Sequence, residues 1–277
     1  MSSKSVGRLL AITGGHRVDI DAFEDMLGAV CDQLGWEWSH ATQPEAQHWL
    51  HPNHAGEWDT ILLHDLPGLQ LARGTEPTRD GPDEQIRTGV RGLLEAGQGI
   101  VATHHALAGW PGWDEWADIL GGRFFYAPGT LHDVDWPSSG YRMDRYQVEV
   151  VAPDHPVCEG VEQFELVDEL YLCPIHEGLV IPLLATDAEI SPESMISTYH
   201  EVRFGEQRPA IGHPPGSRLV GWAKPAGGSP LVYLLPGHGP DTMRHLSYRR
   251  LIRNAVAWVA SDAAREWARE ALPGDDQ

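Results

Sequence analysis

The stretch RLLAITGGH, Arg8 to His16, decides the fold. Its apolar run has no helical period and is closed by Gly14 and Gly15, the pattern of a buried strand that ends in a tight loop. Asp19 and Asp21 then open a segment in which Ile20, Phe23, Leu27, Val30, Cys31 and Leu34 fall on one helical face, with Gly35 as the stop. Strand, glycine loop and helix in this order begin an α/β protein. Further strands are expected at Trp36 to Ser39, at Asp59 to His64 (DTILLH), at Ile100 to Thr103 and at Pro230 to Leu235 (PLVYLL). Helices are expected over Asp83 to Ala96, capped by Gly97, over Asp114 to Leu120, and over Thr242 to Ala260. The alternation predicts a largely parallel sheet covered on both faces.

Between residues 127 and 235 the pattern changes. Prolines multiply, residues 127–146 look irregular, and short strands at Gln147 to Ala152, Leu179 to Thr186 and Leu219 to Lys224 suggest a β-rich insertion or meander without convincing helices. No linker is evident, so residues 1–277 read as one elaborated domain, with a core over about 6–260 and an acidic tail, Pro273 to Asp276.

Composition excludes several classes. With 277 residues, 42% hydrophobic and 22% charged, the chain is neither disordered nor a small disulfide scaffold. A formal charge of −20 repels phosphate backbones and anionic lipid, so neither nucleic acid nor a membrane surface is an expected partner. Cys31, Cys158 and Cys173 form no C-x-x-C pair and leave one over, which points to a reducing compartment. Lys4 and Arg8 flank an apolar run too short for a signal peptide, and the expected location is cytoplasmic.

In an open parallel sheet, ligands bind at the carboxyl ends of the strands. Four expected strand ends carry histidine: His16, His64, His104 with His105, and His238. Imidazole can ligate a metal, move protons near neutral pH or hydrogen-bond a sugar hydroxyl. A chain with fifteen histidines also places some at strand ends by chance, so their convergence is what matters. The run FELVDELY, Phe164 to Tyr171, adds Asp168 and Glu169, which on a strand point to opposite faces, so only one can enter a given site. Trp110 and Trp113 follow His104 and His105 closely and could stack on a sugar ring or simply fill a core.

Other chemistry finds no support. Gly97 to Ala102 matches G-x-G-x-x-A but runs from a helix into a strand, the reverse of the dinucleotide-binding order, so no nucleotide cofactor is expected. There is no P-loop and no G-x-S-x-G elbow, and no cysteine sits at a strand-to-helix turn.

Four landmarks together resemble the ThuA-like (trehalose utilisation) family. They are Thr13-Gly14-Gly15-His16; Thr103-His104-His105 leading to Leu120-Gly121-Gly122-Arg123-Phe124; His155-Pro156, Gly160 and Phe164 with Asp168-Glu169-Leu170-Tyr171; and Gly237-His238-Gly239 before a helix containing Trp258. The resemblance implies a three-layer α/β/α fold, flavodoxin-like in plan and shared with class I glutamine amidotransferases. Those relatives use a cysteine after a central strand, where this chain has Thr103-His104-His105, so glutamine hydrolysis is not expected.

The resemblance further implies a carbohydrate substrate, a 3-keto glycoside or related sugar. Histidine acid–base chemistry, with a divalent metal such as zinc or manganese, would drive isomerisation, elimination or hydrolysis. The expected catalytic residues are His104, Glu169 and His238, with His104 as base. His16, His104 and His238 are the expected metal ligands, and His64, His105, Trp110, Trp113, Asp168 and Tyr171 the expected sugar contacts. A non-catalytic sugar-binding or regulatory protein, and a metal-dependent hydrolase of another small molecule, are the rival classes. A homo-oligomer is compatible with either.

Overall fold

The structure, a computed structural model, describes residues 6–271. Lys4 and the acidic tail, Pro273 to Asp276, lie outside them. The first strand, β1 (Arg8–Gly14), leads through the glycine loop into α1 (Ile20–Leu34). Asp19 caps that helix by accepting from the Ala22 N–H at 3.0 Å, and Gly35 ends it in the left-handed region. Gly15 has φ +78° and lies so close to Leu66 that a Cβ would sit 2.0 Å from its carbonyl oxygen, so the loop after β1 requires glycine.

Next come β2 (Glu37–Thr42), β3 (Thr60–Asp65), α2 (Glu84–Glu95), β4 (Gly99–Thr103) and α3 (Asp114–Leu120). The β-rich stretch contributes β5 (Gly129–Leu131), β6 (Val134–Trp136), β7 (Gly140–Val150), β8 (Phe164–Leu172), β9 (Ile181–Thr186) and β10 (Ile196–Ser197), then α4 (Thr198–Phe204) and β11 (Leu219–Ala226). The last strand, β12 (Ser229–Leu234), is followed by α5 (Pro240–Arg244), α6 (Leu246–Val259) and α7 (Asp262–Glu270).

Strands β2, β1, β3, β4 and β12 pair in that order, all parallel, which is the flavodoxin-like plan. Strands β3, β4 and β12 are buried along their whole length, as parallel strands covered on both faces must be. Burying each large aliphatic side chain there contributes roughly 1.5–3 kcal/mol.

The β-rich stretch is more regular than its sequence suggests. Strands β11, β9 and β7 continue the same sheet from β12 in antiparallel fashion, and β7 pairs with both β8 and β10. Only β5 and β6 form a separate two-stranded hairpin. The C-terminal segment also departs from expectation, because the helix expected over Thr242 to Ala260 is broken at His245. That residue is extended, and its ring accepts from the Ser247 N–H at 3.2 Å, capping α6 and ending α5. The charged stretch beyond it forms α7, capped by Ser261. No helix among the described residues is long and apolar enough to cross a membrane.

Candidate functional site

Chain direction along the sheet changes between β1 and β3, and the loops that leave β1, β4 and β12 converge at that edge. They carry His16, His104 with His105, and His238 to one place, and β8 adds Glu169 and Tyr171. The rings of His16 and His105 lie 3.7 Å apart, those of His104 and His105 4.0 Å, and those of His104 and His238 5.2 Å.

His104 stands directly after β4 at φ +50°, a left-handed conformation that is uncommon outside glycine and marks a special turn. Tyr233 donates to its carbonyl oxygen at 2.8 Å, which fixes the turn. Its Nδ1 lies 2.9 Å from the carbonyl of Leu235. A carbonyl only accepts, so Nδ1 carries the hydrogen and the Nε2 lone pair faces the site. From Nε2 it is 3.2 Å to His238 Nδ1 and 3.5 Å to Glu169 Oε2, and His238 Nδ1 is 3.4 Å from Glu169 Oε1. His105 completes the group: one donor atom from each of His104, His105, Glu169 and His238 lies within 4.8 Å of all the others. The buried His105 Nε2 has no hydrogen-bond partner, while its Nδ1 is 3.2 Å from the Tyr171 hydroxyl.

Electrostatics suit this cluster to a cation. Burial is the main cause that holds His104 and His105 well below the ordinary imidazole range, with the neighbouring histidines adding to it, so both rings are neutral at pH 7. Burial, with Asp168 next to it, pushes the Glu169 carboxyl up to about 8. Three neutral imidazoles and one carboxyl, which gives up its proton when a cation binds, form a donor set of the kind that zinc and manganese take.

The remaining expected residues fall into two groups. His16 lies outside the four-residue cluster, but it lines the adjoining pocket, where its Nδ1 is 3.0 Å from the carbonyl of Arg17. That bond leaves the Nε2 lone pair free. Of the expected ligands, His104 and His238 therefore sit in the four-residue cluster, and His16 lies beside the pocket.

Of the residues expected to contact a sugar, His105 and Tyr171 line the pocket, and His64, Asp168, Trp110 and Trp113 lie away from it. His64 is buried beneath the site between Phe23 and Thr103, donating to the Thr103 hydroxyl at 2.8 Å. Asp168 points to the opposite side of β8 from Glu169, as the strand period requires. It accepts from the backbone N–H groups of Gly237 at 2.8 Å and His238 at 3.2 Å, and so anchors the loop that presents His238. Trp110 and Trp113 are core residues, 4% and 3% exposed, held in a loop whose carbonyls are gathered by the buried Arg123.

The pocket has a volume of about 180 Å³. Beside His16, His105, Glu169 and Tyr171, its walls include Leu71, Phe124, Tyr126, Tyr141, Thr198, Glu201 and Val202. Tyr141 donates to Glu201 across it. Sequence reading missed this wall because Tyr126 and Tyr141 lie at or within a stretch that looked irregular and Glu201 lies on α4, which it did not recognise. The signal was present in Ser197, which caps α4, and in Gly205, which ends it. None of the three cysteines lines the pocket, and burial raises the thiols of Cys31 and Cys158 to about 11.

Fold and site together define an α/β protein with a histidine–glutamate cluster at the carboxyl edge of a flavodoxin-like sheet. The model of the ThuA family, described as trehalose utilisation, matches residues 70–259, and the chain belongs to that family. Among solved structures it is similar to a ThuA-like protein from Parabacteroides merdae, at 16% identity over 93% of this chain and 91% of that one, with a TM-score of 0.63. A ThuA-like protein from Bacteroides uniformis is similar at 18% identity over 93% of both chains, with a TM-score of 0.60. These likenesses show the fold. No curated protein matches the chain. Membership of the family supports a role in carbohydrate utilisation.

Proposed function

We propose that the protein is an enzyme of carbohydrate catabolism that acts on a keto-glycoside, of the 3-keto class, with a divalent metal, zinc or manganese, held by His104, His105, Glu169 and His238. One observation carries this reading. The separations of 3.2, 3.5 and 3.4 Å among donor atoms of His104, Glu169 and His238 agree with the roughly 3.4 Å between two ligands bound about 2.1 Å from one ion in tetrahedral geometry. The orphaned His105 Nε2 fits the same role. When bound, such an ion supplies Lewis acidity toward a substrate carbonyl oxygen.

The chain's own residues provide the rest. A carbonyl acidifies the C–H beside it, and His16, whose pKa is lowered chiefly by burial, offers a neutral Nε2 to take that proton. Loss of the proton forms a carbon–carbon double bond as the glycosidic C–O bond at the β carbon breaks, and the departing oxygen takes up a proton from water, to which His16 returns the one it took. Tyr126, Tyr141 and Glu201 supply partners for sugar hydroxyls, and Leu71 and Phe124 an apolar surface for its C–H face. The cavity is smaller than the roughly 300–1,000 Å³ of drug-sized sites, which favours a small ligand.

The test is elemental analysis of tag-free protein combined with turnover of 3-keto-glycosides. Near-stoichiometric metal is expected in the wild type and in His16→Ala, with loss in His104→Ala and His238→Ala, and turnover is expected to be lost in all three variants. Protein that takes up no metal even when it is supplied would remove the ion from the reading. Sugar binding without turnover in the metal-loaded wild type would make the protein a binding module instead.

A further inference from the structure

A second group of potential ligands lies apart from that pocket. Asp118 stands on the last turn of α3, His132 at the tip of the β5–β6 hairpin, and His176 on the segment that leaves β8. None of them lines the pocket of the first site. His132 Nε2 is 2.9 Å from Asp118 Oδ1, His176 Nδ1 is 3.9 Å from the same oxygen, and the three donor atoms all lie within 4.8 Å of one another. These two separations bracket the roughly 3.4 Å expected between ligands of one tetrahedral ion.

Two further observations point the same way. The buried His176 Nδ1 has no hydrogen-bond partner, although its ring faces Asp118 from the backbone position fixed by the bond of the His176 N–H to the Gly121 carbonyl at 2.9 Å. A donor atom left unsatisfied beside a carboxylate is what a ligand set looks like without its ion. In addition, His132 and Asp133, residue types that accept the left-handed region better than most, form the turn at φ +51° and +60°. The turn thus sets the imidazole against Asp118 in a fixed hairpin geometry.

We propose that Asp118, His132 and His176 form a second divalent-metal site, able to take zinc, that staples the β5–β6 hairpin to α3 and to the segment after β8. Two imidazoles and one carboxylate make a borderline donor set suited to zinc. A two-stranded hairpin is marginal by itself, and this one packs only a small cluster of Leu131 and Trp136 against Ala117 and Phe125. A cross-link to two other elements would supply the missing anchorage. Asp118 and His132 are about half exposed, so zinc can enter from solvent, and a cavity of about 450 Å³ lined by both histidines leaves room for water to complete the coordination shell.

Titration of the metal-free full chain with zinc alone, followed by calorimetry, tests the proposal. His132→Asn is the informative variant, because asparagine tolerates the left-handed turn and keeps the hairpin folded. Wild type is expected to bind one zinc equivalent more than His132→Asn and His176→Asn. Glu169→Gln, altered in the first site, is expected to retain that equivalent, so failure of the first site leaves this count intact. Zinc should also raise the thermal midpoint of Glu169→Gln, and this rise should vanish when His132→Asn is added. Identical zinc stoichiometry and affinity in wild type, His132→Asn and His176→Asn, with native circular dichroism throughout, would overturn the second site.

Discussion

Asp65, at the end of β3, makes the pH dependence of stability calculable. The residue is 2% exposed; one carboxylate oxygen accepts from Gln43 Nε2 at 2.7 Å and the other has no partner. Burial, offset in part by the Gln43 bond, raises its pKa from 3.8 to about 7. A carboxyl whose folded pKa lies above its unfolded value stabilises the fold most below the unfolded value. That stability then declines as the pH rises toward the folded pKa. At 1.36 kcal/mol per pKa unit the whole decline is about 4 kcal/mol, of which about 2.5 kcal/mol falls between pH 5 and pH 8. Asp65→Asn removes this titration while keeping an oxygen for Gln43. Urea unfolding followed by tryptophan fluorescence, at several pH values for both proteins, gives the comparison, and groups common to both cancel. The free-energy difference, wild type minus variant, should fall by about 2.5 kcal/mol from pH 5 to pH 8. A difference that stays level over this range would refute the assignment of a buried, protonated Asp65.

Two further outcomes are expected. Arg123→Met should lower stability by about 3–5 kcal/mol in denaturant unfolding, because it strips the carbonyls of Gly109, Trp110 and Trp113 of their buried donor. Asp168→Asn replaces one of the oxygens that hold the Gly237 and His238 N–H groups with an amide nitrogen, so metal affinity at the first site should fall roughly 10–100-fold by competition with a chelator.

The sequence by itself determined the parallel half of the molecule. Apolar runs without helical period, each closed by a turn or followed by an amphipathic segment, have few arrangements other than buried strands covered by helices. Because ligands gather at the carboxyl ends of such strands, the same reading led to His16, His104, His105 and His238, and the strand period of two correctly separated Asp168 from Glu169. What stayed illegible depended on partners distant in sequence. Strands β7 and β8 mix exposed and buried residues, and only their pairing with each other and with β9 makes them part of the main sheet. A break such as the one at His245 is set by a single ring accepting a neighbouring N–H, which leaves no trace in hydrophobic period. Trp110 and Trp113 could have faced a ligand or a core, and the buried Arg123 settles them in the core by collecting their carbonyls. The different placements of His16 and His104 have the same origin. Sequence states that an imidazole is near, but the carbonyl that takes its Nδ1 hydrogen decides where the lone pair points, and only the tertiary structure brings Leu235 to His104.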